Sequence, residues 1–93
     1  MRIYLAWPTE QLAYALEGAE QLHRAGHVPV MQTCAPQWTY LDRQRIEACA
    51  CVVRYPGESA KSDYAVDFAK VRGLPVYWSL RDCLADLPVR VMA

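Results

Sequence analysis

One stretch limits what this chain can become. The apolar run Ala50-Cys51-Val52-Val53 feeds a turn at Tyr55-Pro56-Gly57-Glu58. Ser59 and Ser62 follow, and a helical pattern then runs to Arg72 before Gly73-Leu74-Pro75 stops it and Val76-Tyr77 resumes an apolar strand. Strand, capped helix, glycine stop and second strand in that order predict a β-α-β unit with a right-handed crossover. Such a unit delivers a loop onto a helix N-terminus, where N–H groups and the positive dipole end suit an anion or polar ligand. Either serine can cap the helix, so its start falls at Ser59 or Ser62.

The rest of the chain repeats the alternation. Ile3-Tyr4-Leu5-Ala6 reads as a short central strand broken by Trp7-Pro8-Thr9. Thr9, with Glu10 behind it, predicts the N-cap of a helix marked by Leu12, Ala13, Ala15, Leu16, Ala19, Leu22 and Ala25 and closed by Gly26. Val28-Pro29-Val30-Met31 reads as an edge strand because of its proline. Thr33 to Tyr40 is a loop holding Pro36, Trp38 and Tyr40. A short helix over Leu41 to Cys49 turns Leu41, Ile46 and Cys49 inward. A third strand covers Ala50 to Tyr55 and a fourth Val76 to Leu80; a last helix, Arg81 to Leu87, precedes a tail from Pro88 to Ala93.

This pattern predicts one α/β domain over residues 1–93, a flavodoxin-like or Rossmann-like three-layer sandwich. Its parallel sheet has roughly four or five strands in the order 2-1-3-4, with ligands bound beyond the carboxyl ends of the first and third. That crevice is lined by Trp7-Pro8-Thr9, the Trp38/Tyr40 loop and Tyr55 to Ser62.

Composition narrows the partners. Ten basic and ten acidic residues cancel, which argues against nucleic-acid binding through a bulk field and leaves only local patches. Zero net charge also gives little protection against self-association, so a homodimer or higher homo-oligomer is expected. No apolar run reaches membrane length and no signal-peptide pattern opens the chain, so the default expectation is a cytoplasmic protein. Cys34, Cys49, Cys51 and Cys83 lack paired zinc-type spacing and read as reduced, buried thiols, so neither a metal nor a cofactor is expected. His23 and His27 flank the end of the first helix, away from the crevice.

Three segments in order resemble the nucleoside 2-deoxyribosyltransferase-like superfamily. They are Ile3-Tyr4-Leu5-Ala6-Trp7-Pro8, Asp42 with Ile46-Glu47-Ala48-Cys49-Ala50, and Pro56-Gly57-Glu58-Ser59 with Ala69 and Gly73-Leu74-Pro75-Val76. The resemblance implies a flavodoxin-like oligomer that cleaves or exchanges the N-glycosidic bond of nucleosides or nucleotides through a glutamate nucleophile. Aligned on those segments, the nucleophile's position is Ala65, the small residues before it are Lys61 and Ser62, and the aspartate of a Cys-Asp-Ala element is Ala50. The departures fall on chemistry while the scaffold positions match.

Asp63 and Asp67 lie about 200° around the helix from Ala65 and read as a solvated face, whereas Glu58 in the turn is freer to act. The resemblance places Tyr4 and Asp42 in the site; as bare residues they read equally as a core aromatic and a helix N-terminal charge. Trp7 and Trp38 either stack on a nucleobase or pack against a partner subunit. Ser59, Lys61 and Ser62 suit an anion at a helix start, and each serine also reads as a plain cap. Three functions are therefore open: a catalytically degenerate nucleoside or nucleotide binder, an N-glycosidase or deoxyribosyltransferase using Glu58, and an interaction module with a vestigial crevice.

Overall fold

The computed structural model describes residues 1–33 and 37–92, with only the backbone of residues 88–92. Its elements are β1 (Arg2–Ala6), α1 (Leu12–Arg24), β2 (Val28–Met31), α2 (Tyr40–Glu47), β3 (Cys51–Arg54), α3 (Ala60–Val71), β4 (Val76–Tyr77) and α4 (Leu80–Met92). The four strands are all parallel in the order β2-β1-β3-β4, a flavodoxin- or Rossmann-like sheet. Central β1 and β3 are buried throughout save for Arg2, in keeping with their apolar runs. Pro29 is accommodated because β2 pairs with β1 alone.

Strand alternation divides the interior in two. Ile3, Leu5, Cys51 and Val53 pack with Ala15 and Leu22 of α1 and with Cys83 and Leu87 of α4. Tyr4, Ala6 and Val52 face the other way, against Ile46 of α2 and Ala65 and Ala69 of α3. Crossovers of one hand produce this split, because the chain reverses its direction across the sheet after β2.

Several local expectations change. Thr9 does not cap α1: it opens a 3-10 turn, Thr9–Gln11, closed by the Gln11 N–H on the Pro8 carbonyl at 2.8 Å. The buried stripe of α1 is Ala15, Gly18 and Leu22, while Leu12 and Leu16 are exposed. Small residues there let the helix approach the Tyr55 hydroxyl, which lies 2.1 Å from where a Gly18 Cβ would stand. Leu41 faces solvent and Asp42 faces inward, because Asp42 forms a capping box with Thr39 and so turns its neighbour outward. β4 is two residues long because Ser79 already serves the next helix, its Oγ accepting from Asp82 N at 3.1 Å. α4 then runs beyond Leu87 to Met92, so the expected tail is helical. Cys34 and Pro36 lie outside the described residues. Among the described residues no helix is long and apolar enough to cross a membrane.

Candidate functional site

The sheet's carboxyl edge is shaped by a turn and a cap. At Gly57 the backbone takes φ +118°, where a Cβ would stand 3.0 Å from the Pro8 Cγ and 2.8 Å from a Glu10 carboxylate oxygen. Arg54, buried on β3, stiffens this turn: it donates to the carbonyls of Tyr55 and, at 2.8 Å, of Gly57, and to Asp63 at 2.9 Å. Ser59 is the N-cap of α3, its Oγ accepting from Ser62 N at 3.1 Å, which settles the choice between the two serines. The Ser62 side chain is fully buried, with its Oγ lacking a hydrogen-bond partner.

A buried polar network lies beside this helix start. Asp42 is completely enclosed, and its Oδ1 accepts from the Tyr4 hydroxyl at 3.0 Å and from Thr33 N at 2.9 Å. Its Oδ2 accepts from Thr33 Oγ1 at 3.0 Å, Thr39 N at 3.1 Å and Thr39 Oγ1 at 2.9 Å. Lys61 Nζ stands 3.6 Å from the same oxygen and donates to the Thr33 carbonyl at 2.5 Å and to Thr33 Oγ1 at 2.6 Å. Burial alone would raise the Asp42 pKa, but the Thr33 and Thr39 donors outweigh it and hold the carboxyl below its ordinary range. Tyr4 is pushed far up, by burial first and then by the neighbouring Asp42 charge. The pair is therefore a fixed carboxylate and a fixed phenol donor. Neither is free to exchange a proton near neutral pH.

Above Lys61 opens a cleft of about 410 Å³, lined by Gln37, Trp38, Ala60, Lys61 and Tyr64. It lies past the carboxyl ends of β2 and β3, where such sheets hold ligands. Trp38 tilts 34° to Tyr64 with ring centroids 6.5 Å apart, and rests on Phe68 at 6.1 Å. Arg43 and Arg72 each lie over the Phe68 ring, at 5.2 and 5.4 Å. The described side chains that line the cleft are two aromatic rings, an amide, a methyl group and an ammonium, with no carboxylate among them.

The sequence-predicted residues divide around this geometry. Trp38 and Lys61 line the cleft, and Tyr4 and Asp42 join it through Lys61. Lys61 is 7% exposed, and its ammonium is turned toward Thr33 and Asp42. Trp7 is not on the rim: it continues the alternation of Ile3 and Leu5 into the α1/α4 core, and Gln32 clamps its backbone N–H and carbonyl at 3.1 and 2.7 Å. Pro8 is buried against the Gly57 turn. Gly57 and Glu58 are exposed on that turn, outside the residues that line the cleft. Ala65 is buried in the α2/α3 core, and Asp63 and Asp67 are exposed.

Sequence reasoning missed Thr33, Thr39, Gln32 and Tyr64. Thr39-x-x-Asp42 is a capping-box spacing that would have found two of the network's members; nothing local marks the others. Among the described residues no group of three or more His, Cys, Asp or Glu side chains is placed to hold a metal ion. Comparison with known proteins gives no match: no family model fits the chain, and no curated protein or solved structure resembles it significantly.

Proposed function

We propose that this protein binds a nucleoside or nucleotide without cleaving it, as a catalytically degenerate relative of the nucleoside 2-deoxyribosyltransferase-like superfamily. The observation that carries this reading is the cleft that sets Trp38 and Tyr64 beside Lys61 and Gln37, with no carboxylate among the described lining residues. Its volume suits a small ligand, and its rings suit a planar base. Asp42, the carboxylate nearest Lys61, accepts from five donor groups and is unsuited to attack an anomeric carbon. At Ala65, where the resemblance calls for a nucleophile, the side chain is a buried methyl group.

The test combines thermal shift with chromatography over a panel of nucleosides and nucleotides. The expected result is a stabilising ligand recovered intact, with Trp38→Ala weakening binding by about tenfold or more, as loss of one stacking surface does. Release of free base that disappears in Glu58→Gln would replace this reading with an N-glycosidase. No shift with any member of the panel would leave the cleft without a nucleobase ligand and end the proposal. Self-association, expected from zero net charge, belongs to the same reading; the exposed Leu12 and Leu16 of α1 supply apolar surface for it, and sedimentation at several concentrations measures it.

A further inference from the structure

On the opposite side of the sheet, Cys51 of β3 and Cys83 of α4 bring their Sγ atoms to 3.9 Å across 32 residues of chain. Both are buried in the α1/α4 core, at 1% and 0% exposure. We propose that this pair is a redox site, a dithiol that a hydroperoxide converts into a disulfide fastening α4 to the central strand. The sulfurs have to close by only about 2 Å to reach bonding distance, a displacement that rotation of two side chains can share. Cys49 provides the internal contrast. It lies on the α2/α3 side, donates its thiol to the Arg45 carbonyl at 3.1 Å, and is pushed up to about 11 by burial.

The chemistry balances with hydrogen peroxide as the oxidant. One thiol, reacting as its thiolate, displaces hydroxide from the peroxide and becomes a sulfenic acid. The second sulfur then attacks the sulfenic sulfur, the S–S bond forms, and water leaves. Two thiols and one peroxide give one disulfide and two waters, and a dithiol reductant reverses the change.

Burial sets the kinetics. Peroxide reaches the pair only when α4 opens locally, so the rate follows that opening equilibrium. Among the described side chains, α4 meets the core through Cys83 and Leu87 with Leu80 and Leu84 beside them, and the short β4 adds the Tyr77 hydroxyl donating to Asp86.

The experiment treats the whole protein with hydrogen peroxide, alkylates it in denaturant, and maps the peptides. The expected product is an intramolecular Cys51–Cys83 cross-link, with the intact mass reduced by two hydrogens and restored by dithiothreitol. Sub-denaturing urea should speed its formation, and Tm should rise by roughly 5 °C or more. Cys49→Ser should keep the cross-link and Cys83→Ala should lose it; the peptide map of the unaltered protein decides the matter even where a variant folds poorly. Recovery of Cys51 and Cys83 as alkylated thiols or sulfinic acids, or a link to a different cysteine, would overturn the proposal. The outcome is independent of nucleotide binding, because the cleft lies on the other face of the sheet.

Discussion

The two faces of one sheet solve the burial problem in opposite ways. On the α1/α4 side β1 contributes Ile3 and Leu5, and the helices answer with Ala15, Leu22 and Leu87. On the α2/α3 side the same strand contributes Tyr4, whose hydroxyl reaches a fully buried carboxylate on α2, which in turn lies against an ammonium from α3. Arg54 and Ser62 are also buried on this side, outside the Asp42 network, with the Arg54 Nε and the Ser62 Oγ left without hydrogen-bond partners. The apolar side is held by area removed from water, at roughly 25 cal/mol per Å². The polar side is held in large part by the hydrogen bonds that converge on Asp42, whose removal costs more than their formation contributes. The cleft opens on the polar side, with Lys61 common to the network and the lining.

The largest expected effect tests that contrast. Asp42→Ala leaves the buried Lys61 without its counter-charge, strips Thr33 and Thr39 of their acceptor, and removes half of the capping box of α2. Urea unfolding should show a loss of about 3 kcal/mol or more. Leu22→Ala on the apolar side should cost a similar amount, about 3 kcal/mol, through lost transfer energy and a cavity. The two part company with pH. Because the folded pKa of Asp42 lies below its ordinary 3.8, its stabilisation is fully present above that value and is lost as pH falls through the folded pKa. The cost of Asp42→Ala should therefore shrink in acid, while that of Leu22→Ala should not. Parallel acid limbs for the two variants would show that the carboxylate is not held ionised.

A smaller effect is expected at the other end of the ion pair. Lys61→Met leaves Asp42 with its Tyr4, Thr33 and Thr39 donors, so the loss should be about 1–2 kcal/mol, below that of Asp42→Ala. A cost equal to that of Asp42→Ala would mean that charge pairing, and not the cap and its hydroxyls, holds this face together.

How these faces could be read from the sequence depends on the range of the forces involved. The strand order followed from alternation, because apolar runs such as Ile3 to Ala6 and glycine stops such as Gly26 and Gly73 act within a few residues. Pro29 marked an edge for a local reason as well. The network did not follow, because its partners come from β1, the loop after β2, α2 and α3. Lys61 reads as a charge offered to an anion at a helix start; only the fold shows that it turns to Thr33 and Asp42. Leu41 looked inward by its hydrophobicity, but the cap fixed the helix rotation in favour of Asp42. Trp7 looked like a rim residue because it follows the strand, although continued alternation from Ile3 and Leu5 points it into the core.

The smallest effect concerns Tyr55, whose hydroxyl, like the Trp7 indole N–H, is a buried polar group without a partner among the described residues of the apolar face. The Tyr55 hydroxyl is buried without a hydrogen-bond partner and lies against Gly18. Burial raises its pKa, so it stays a neutral phenol. Tyr55→Phe deletes a group that gains no hydrogen bond in the fold and loses water on entering it, so stability should change by less than about 1 kcal/mol and in the favourable direction. Gly18→Ala alone should destabilise despite the better helix propensity of alanine, by about 1–3 kcal/mol, since its Cβ would stand 2.1 Å from that oxygen. Combined, the two changes should recover most of the loss, because phenylalanine vacates the space the new methyl needs. Additive behaviour in this double-mutant cycle would mean that the hydroxyl is not what keeps position 18 a glycine. A destabilising Tyr55→Phe would reveal that the hydroxyl has a partner, and the apolar face would then be less different from the polar one than its residues suggest.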